Sequence, residues 1–98
     1  MTARPYASAR YLDTLEAQAE YLTAAFETED PAFIAEAIGT VARARGMTQI
    51  AKESGLSRES LYRALSSGGN PELGTVVRVL QALGLRLSAA PVGKDEAA

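Results

Sequence analysis

The sequence contains no cysteine and no histidine among its 98 residues. These absences exclude disulfide bonds, thiol nucleophiles, zinc sites of the usual Cys/His type and acid–base catalysis by imidazole. No nucleophile–base pair can be assembled from the remaining residues with any specificity, although an enzyme that uses only carboxylates stays possible. We therefore expect a protein that is not an enzyme and that binds no metal or cofactor.

Long hydrophobic runs are also missing. Residues 1–30 have no apolar core of a secretion signal, and no run approaches the length of a membrane span. Apolar residues make up 47% of the chain and charged residues 22%, which are ordinary values for a globular protein. The sequence thus predicts one cytoplasmic domain over residues 13–90, with flexible segments at residues 1–12 and 91–98.

Basic residues are absent from one part of the chain and concentrated in another. Residues 11–36 carry seven acids and no base, whereas residues 43–86 carry seven bases and three acids. This split indicates an acidic half that faces one partner and a basic half that faces a polyanion. The alternative is that both sets are solvated helix faces. The seven acids are Asp13, Glu16, Glu20, Glu27, Glu29, Asp30 and Glu36, and the seven bases are Arg43, Arg45, Lys52, Arg58, Arg63, Arg78 and Arg86.

The first half of the chain predicts two helices. Asp13 is a good N-cap with Glu16 three residues later, and an apolar stripe at helical spacing follows, formed by Leu15, Ala19, Leu22 and Phe26. The pair Asp30-Pro31 indicates a second helix start, and Gly46 indicates its end in a left-handed conformation. The apolar face of this second helix consists of Phe33, Ile34, Ala37, Ile38, Val41 and Ala42.

The second half predicts three further helices and a strand. A helix over residues 48–54 has Thr48 as its N-cap, and another follows Ser57 and runs to about Ser66. The pair Asn70-Pro71 indicates the start of a last helix, which Gly84 closes. Its apolar face is formed by Leu73, Val76, Val77, Leu80 and Leu83. Residues 85–89 alternate apolar and polar residues, which is typical of a strand.

Residues 47–65 fit two helices that cross steeply over a tight turn. Ala51 is small where the helices touch, and Gly55 four residues later permits the positive φ that the turn requires. Leu56 fills the corner, while Leu61 and Leu65 lie one turn apart and face inward, with Ala64 beside them. Any helical hairpin could share part of this pattern.

The inward leucines leave one face of the second helix of this pair pointing outward. It carries Arg58, Glu59, Tyr62 and Arg63, with Ser60 at its boundary. In a helix-turn-helix this part enters the major groove, where arginine can donate to guanine O6 and N7 and glutamate can accept from cytosine N4. Alternatively, Arg63 is an ordinary surface residue, Tyr62 packs on its own domain and Glu59 pairs with Arg63.

The starts of both helices offer free backbone N–H groups that can hold phosphates. The side chains of Thr48, Gln49 and Ser57 are placed to help them. Because one module of this size makes few phosphate contacts, useful affinity requires a dimer on two half-sites. The predicted strand at residues 85–89 cannot pair with itself, so its twin in a second subunit or a partner's sheet edge would have to satisfy it. The other possibility is that the segment forms no strand and only covers the core.

Four segments resemble the Xre-type helix-turn-helix addiction-module antidote proteins. They are ARARGMTQIA at residues 42–51, GLSRESLYRALS at 55–66, GNP at 69–71 and ALGLRL at 82–87. The resemblance covers about residues 11–90. It implies an all-α, five-helix domain like that of lambda repressor, to which the predicted short C-terminal strand is added.

The resemblance also implies a function. It suggests an antitoxin that neutralises a small basic toxin of the RelE/ParE superfamily and represses its own operon as a dimer bound to operator DNA. By position, Ser57, Arg58, Glu59 and Arg63 match the reading-helix contacts of that family. A repressor without a toxin partner is the main alternative, and a protein-interaction module that no longer reads DNA is another.

Overall fold

The computed structural model of the chain describes residues 12–93. It contains α1 (Leu15–Glu27), α2 (Pro31–Arg45), α3 (Met47–Ser54), α4 (Arg58–Ala64) and α5 (Leu73–Leu83). The predicted all-α domain of five helices is therefore confirmed. The predicted flexible ends lie mostly outside the described residues, as residues 1–11 and 94–98. No helix between residues 12 and 93 has the length and apolar character needed to cross a membrane.

Side-chain caps define the starts of α1 and α2. The Asp30 carboxylate accepts from the backbone N–H groups of Ala32 and Phe33, at 3.1 and 3.4 Å, and Pro31 is the first helical residue, as predicted. The predicted N-cap of α1 at Asp13 is wrong by one residue. Thr14 has the extended backbone of an N-cap, and its hydroxyl accepts from the N–H of Ala17 at 3.0 Å.

The starts of α3 and α5 have no side-chain cap, so the predicted N-caps at Thr48 and Asn70 are both wrong. Gly46, with φ of 119°, ends α2 and also precedes the first residue of α3, which places Thr48 inside the helix rather than at its cap. The last helix begins after Glu72, two residues later than Asn70 suggested. Gly84 does close α5 in the left-handed region, with φ of 84°.

The hydrophobic core forms around α2, which packs against all four other helices. Each fully buried leucine or isoleucine side chain contributes about 1.5–3 kcal/mol relative to an exposed one. The largest completely buried side chains come from every helix, and from Leu65 just after α4: Leu22, Ile38, Ile50, Leu61, Leu65, Leu80, Leu83, Val41 and Val79. The core therefore fixes the rotation of each helix.

The buried faces of the helices differ from the predicted apolar stripes at several positions. Leu15, Phe33 and Leu73 are exposed, at 44%, 45% and 70%, although each was assigned to a buried face. Gln18 is buried in α1 instead, and Val79, absent from the predicted face, is buried in α5. Periodicity alone left the centre of each stripe uncertain, and contacts between helices set it.

The predicted strand at residues 85–89 is not formed. Leu85 donates its N–H to the carbonyl of Leu80 at 2.8 Å and packs partly on the core, which completes the end of α5. The chain then runs past the last turns of α1, and a groove lies between Phe26 and the segment from Arg86 to Val92. A strand requires a second strand for its backbone hydrogen bonds, and residues 12–93 provide none.

Candidate nucleic-acid interface

The connection between α3 and α4 is a tight reversal at Gly55. Its φ and ψ of 79° and 14° lie in the left-handed region, as its position in the sequence predicted. The N–H groups of Gly55 and Leu56 both donate to the carbonyl of Ala51, at 3.0 and 3.2 Å. Ala51 is 9% exposed and belongs to the hydrophobic core, as expected for the small residue at the predicted crossing of α3 and α4. A larger side chain there would push α4 away from α3.

Ser57 caps α4 in the predicted way. Its hydroxyl oxygen accepts from the N–H of Ser60 at 3.0 Å, and the same hydroxyl donates to the Ser60 oxygen at 2.9 Å. Ser60 itself is exposed rather than at the boundary of the buried face. The Ser57 hydroxyl is thus occupied within the chain, whereas the Ser60 hydroxyl hydrogen remains available to a ligand.

The inner side of α4 is fixed by two leucines and one glycine. Leu61 and Leu65 are completely buried, as their spacing predicted. Gly39 of α2 lies directly against the carbonyl oxygen of Leu65. The two are so close that a Cβ atom added at Gly39 would overlap this oxygen. A Cβ at Gly39 would also come within 3.1 Å of the Leu65 Cβ. Sequence analysis missed Gly39 because a glycine within a helix carries no local signal of a neighbour 26 positions away.

The outer side of α4 presents the five predicted residues Arg58, Glu59, Ser60, Tyr62 and Arg63, all of which are exposed. The guanidinium carbon of Arg58 lies 5.7 Å from the centre of the Tyr62 ring. Within the described chain, Glu59 and Arg63 have no side-chain hydrogen bond or ion pair, so the suggested pairing between them is absent. Both arginines therefore point to solvent with their N–H donors free.

The two predicted residues of α3 differ from each other. Thr48 is exposed in the first turn, and its hydroxyl has no hydrogen-bond partner among residues 12–93. Gln49 is also exposed, but its amide donates to the Glu53 carboxylate one turn later. Thr48 is thus free to contact a ligand as it stands, whereas Gln49 would first have to leave Glu53.

The charge split of the sequence persists in the structure, with one exception. All seven acids of residues 11–36 are exposed, and so are the basic residues of the second half. Arg45, however, turns one guanidinium nitrogen inward and donates to the Gln18 side-chain oxygen and to the Leu83 carbonyl, both at 2.8 Å. The buried amide of Gln18 donates in turn to the carbonyl of Leu12 at 2.9 Å. Arg45 therefore joins α1, α2 and the end of α5.

A cavity of about 380 Å³ lies beside α4. Ser60, Arg63 and Ala64 line one side of it, and Gly69, Asn70 and Thr75 line the other. The loop before α5 passes close to the end of α4, where Gly69 lies against the carbonyl of Ala64. The loop and the outer face of α4 thus form one continuous surface.

The described residues define a small all-α domain of five helices that displays a short helix with two free arginines. The chain belongs to the family described as "Probable addiction module antidote protein", whose sequence model matches residues 2–91. It is 44% identical over 78 residues to an uncharacterized protein of Haemophilus influenzae, and this alignment covers 80% of each chain. No solved structure matches the chain. Membership of an antidote family supports an antitoxin role and implies a toxin partner of unspecified kind.

Proposed function

We propose that this antitoxin binds the operator of its own operon as a dimer and neutralises a small basic toxin of the RelE/ParE type. In this proposal α3, the turn at Gly55 and α4 form a helix-turn-helix of the Xre type, and α4 enters the major groove. The observation that supports it best is the pair of exposed guanidinium groups of Arg58 and Arg63. Buried leucines fix the opposite side of the same helix.

The chemistry of the outer face of α4 suits base edges. A guanidinium group can donate two parallel hydrogen bonds to guanine O6 and N7, and a carboxylate such as that of Glu59 can accept from cytosine N4. The Thr48 hydroxyl is free to contact a phosphate, which would set the position of the helix on the duplex. Two such modules in a dimer would meet half-sites about 34–36 Å apart.

The surface formed by α1, the first half of α2 and the residues beside them suits a basic partner. The seven acids of residues 11–36 are all exposed, and no basic residue lies among positions 12–42. Such a surface attracts a cationic protein and repels DNA. We therefore assign the toxin to the acidic half and the operator to α4.

Operator binding can be tested by gel shift with the DNA upstream of the gene. We expect Arg63→Ala to weaken binding to this DNA by ~1–3 kcal/mol if the arginine contacts a base. Arg43→Ala is the matched control, because Arg43 is an exposed arginine on α2, outside α3 and α4. Wild-type binding should fall steeply as salt is raised, since phosphate contacts release counterions. Equal affinity of the wild type for scrambled DNA would refute the proposal.

The toxin can be tested by co-expression with the product of the adjacent gene. We expect a basic protein of small size that co-purifies with the chain and whose toxicity the chain suppresses. Reversing acidic charge, as in Glu20→Lys, should weaken that complex and leave the gel shift unchanged. Specific DNA binding without any toxin would instead favour a stand-alone repressor.

A further inference from the structure

The guanidinium group of Arg58 lies over the ring of Tyr62 on the outer face of α4. The separation of 5.7 Å between the guanidinium carbon and the ring centre lies in the range where an aromatic face attracts a cation. The helix brings them together because side chains lean toward its N-terminus, so residue 62 reaches back over residue 58. Tyr62 is 42% exposed, and within residues 12–93 the Arg58 side chain has no partner other than this ring.

The contact with the Tyr62 ring leaves the hydrogen-bond donors of Arg58 available to a ligand. The guanidinium group is planar, and its N–H donors point outward along its edges. The ring contact limits where the group lies, and no residue among 12–93 accepts a hydrogen bond from its donors. Recognition of guanine O6 and N7 uses two donors along one edge. A guanidinium that is already oriented loses less conformational freedom when it binds.

We propose that Tyr62 is a positioning residue that orients Arg58 toward a guanine in the operator. This proposal rests on the proposed operator binding. It gives different roles to neighbouring residues of α4. Arg58 reads the base, and Tyr62 acts through Arg58 without a base-specific hydrogen bond of its own. No ring in the part of the chain that the structure describes contacts Arg63, so its contacts with DNA are independent of Tyr62.

The test measures base preference in a double-mutant cycle. Arg58→Ala is first assayed on operators with single-base substitutions, and the base pair whose guanine preference it abolishes is the one that Arg58 reads. We expect Tyr62→Leu to lower the preference for guanine at this base pair by about two- to fivefold, which matches a cation–π contact at an exposed site. Tyr62→Phe keeps the ring and should retain the preference.

Four further measurements accompany this comparison. Tyr62→Leu should have no effect when Arg58 is already alanine, and it should not change any base preference that depends on Arg63. In the free protein, the Arg58 side-chain N–H resonance should shift when Tyr62 is replaced by leucine and not when it is replaced by phenylalanine. Thermal unfolding of each variant confirms that it is folded, as expected for a residue as exposed as Tyr62.

Several outcomes would overturn the inference. One is an equal loss of affinity for all DNA sequences in Tyr62→Leu, which indicates a phosphate contact or a structural role. Another is the same loss when Arg58 is alanine, and a third is an Arg58→Ala variant that relaxes no base pair. Failure of the proposed function would give a different result, in which the wild-type protein binds the upstream DNA and scrambled DNA equally.

Discussion

Gly39→Ala is the substitution for which the structure makes the sharpest prediction. Gly39 is buried in α2, and a methyl group there would overlap the carbonyl oxygen of Leu65 at the end of α4. Carbon–oxygen contacts normally lie near 3.3–3.6 Å, and a backbone carbonyl cannot rotate away as a side chain could. To admit the methyl group, α2 and the end of α4 must move apart.

The magnitude follows from two opposing effects. Alanine in place of glycine favours a helix interior by about 1 kcal/mol, while overpacking a core costs about 1–3 kcal/mol and occasionally more. Because the methyl group would overlap a backbone oxygen, we place the cost in the upper part of this range, at about 2–3 kcal/mol. The expected net loss is then about 1–2 kcal/mol, which lowers the melting temperature of a domain of this size by about 4–16 °C. Circular dichroism during thermal and urea unfolding measures both quantities.

Gly74→Ala is the matched control for this prediction. Gly74 lies in the first turn of α5 and is exposed, and beyond its chain neighbours and the backbone of its own helix a methyl group added there would meet no atom of residues 12–93 within 4 Å. Alanine there should be neutral or should stabilise the fold by about 0.5 kcal/mol, because only the propensity effect remains. If Gly39→Ala is as stable as Gly74→Ala, the close contact between α2 and α4 does not exist.

Three further substitutions test the packing around α4 and the ends of the helices. Ala51→Leu should destabilise the fold by ~1–3 kcal/mol in urea unfolding because it overpacks the crossing of α3 and α4; wild-type stability would contradict that crossing. Arg45→Ala should cost ~1–3 kcal/mol because it removes the donor to two carbonyl oxygens, whereas the exposed Arg43→Ala should lie within about 0.5 kcal/mol of the wild type. Ser57→Ala should cost ~0.5–2 kcal/mol through loss of the N-cap, and an unchanged melting temperature would show that the cap does not stabilise α4.

Local signals in the sequence predicted those features that depend on neighbouring residues. Asp30 with Pro31, Gly55 and Ser57 each act within a few positions, and each was placed correctly as a cap or turn. The outward face of α4 was also predictable, because Leu61 and Leu65 lie one turn apart and define its inner side. The exposure of the site residues therefore followed from the sequence.

The features that sequence analysis missed depend on residues far apart in the chain. Gln18 is buried because Arg45 lies opposite it, 27 positions away. Thr48 and Asn70 were plausible caps, but α3 begins directly after Gly46, before Thr48, and α5 begins only after Glu72, two residues beyond Asn70. Strand formation at residues 85–89 required a pairing partner, which an alternating pattern cannot supply.

The inward amide of Gln18 has a consequence for the opposite side of α1. Successive residues of an α-helix are rotated by about 100°, so positions 16, 20 and 27 all project within about 20° of the direction opposite residue 18. Those positions are Glu16, Glu20 and Glu27. Burial of Gln18 therefore turns these three exposed glutamates toward the side of α1 that faces away from the core. Under the proposed function, a basic toxin bound to α1 would meet all three glutamates on this one side of the helix.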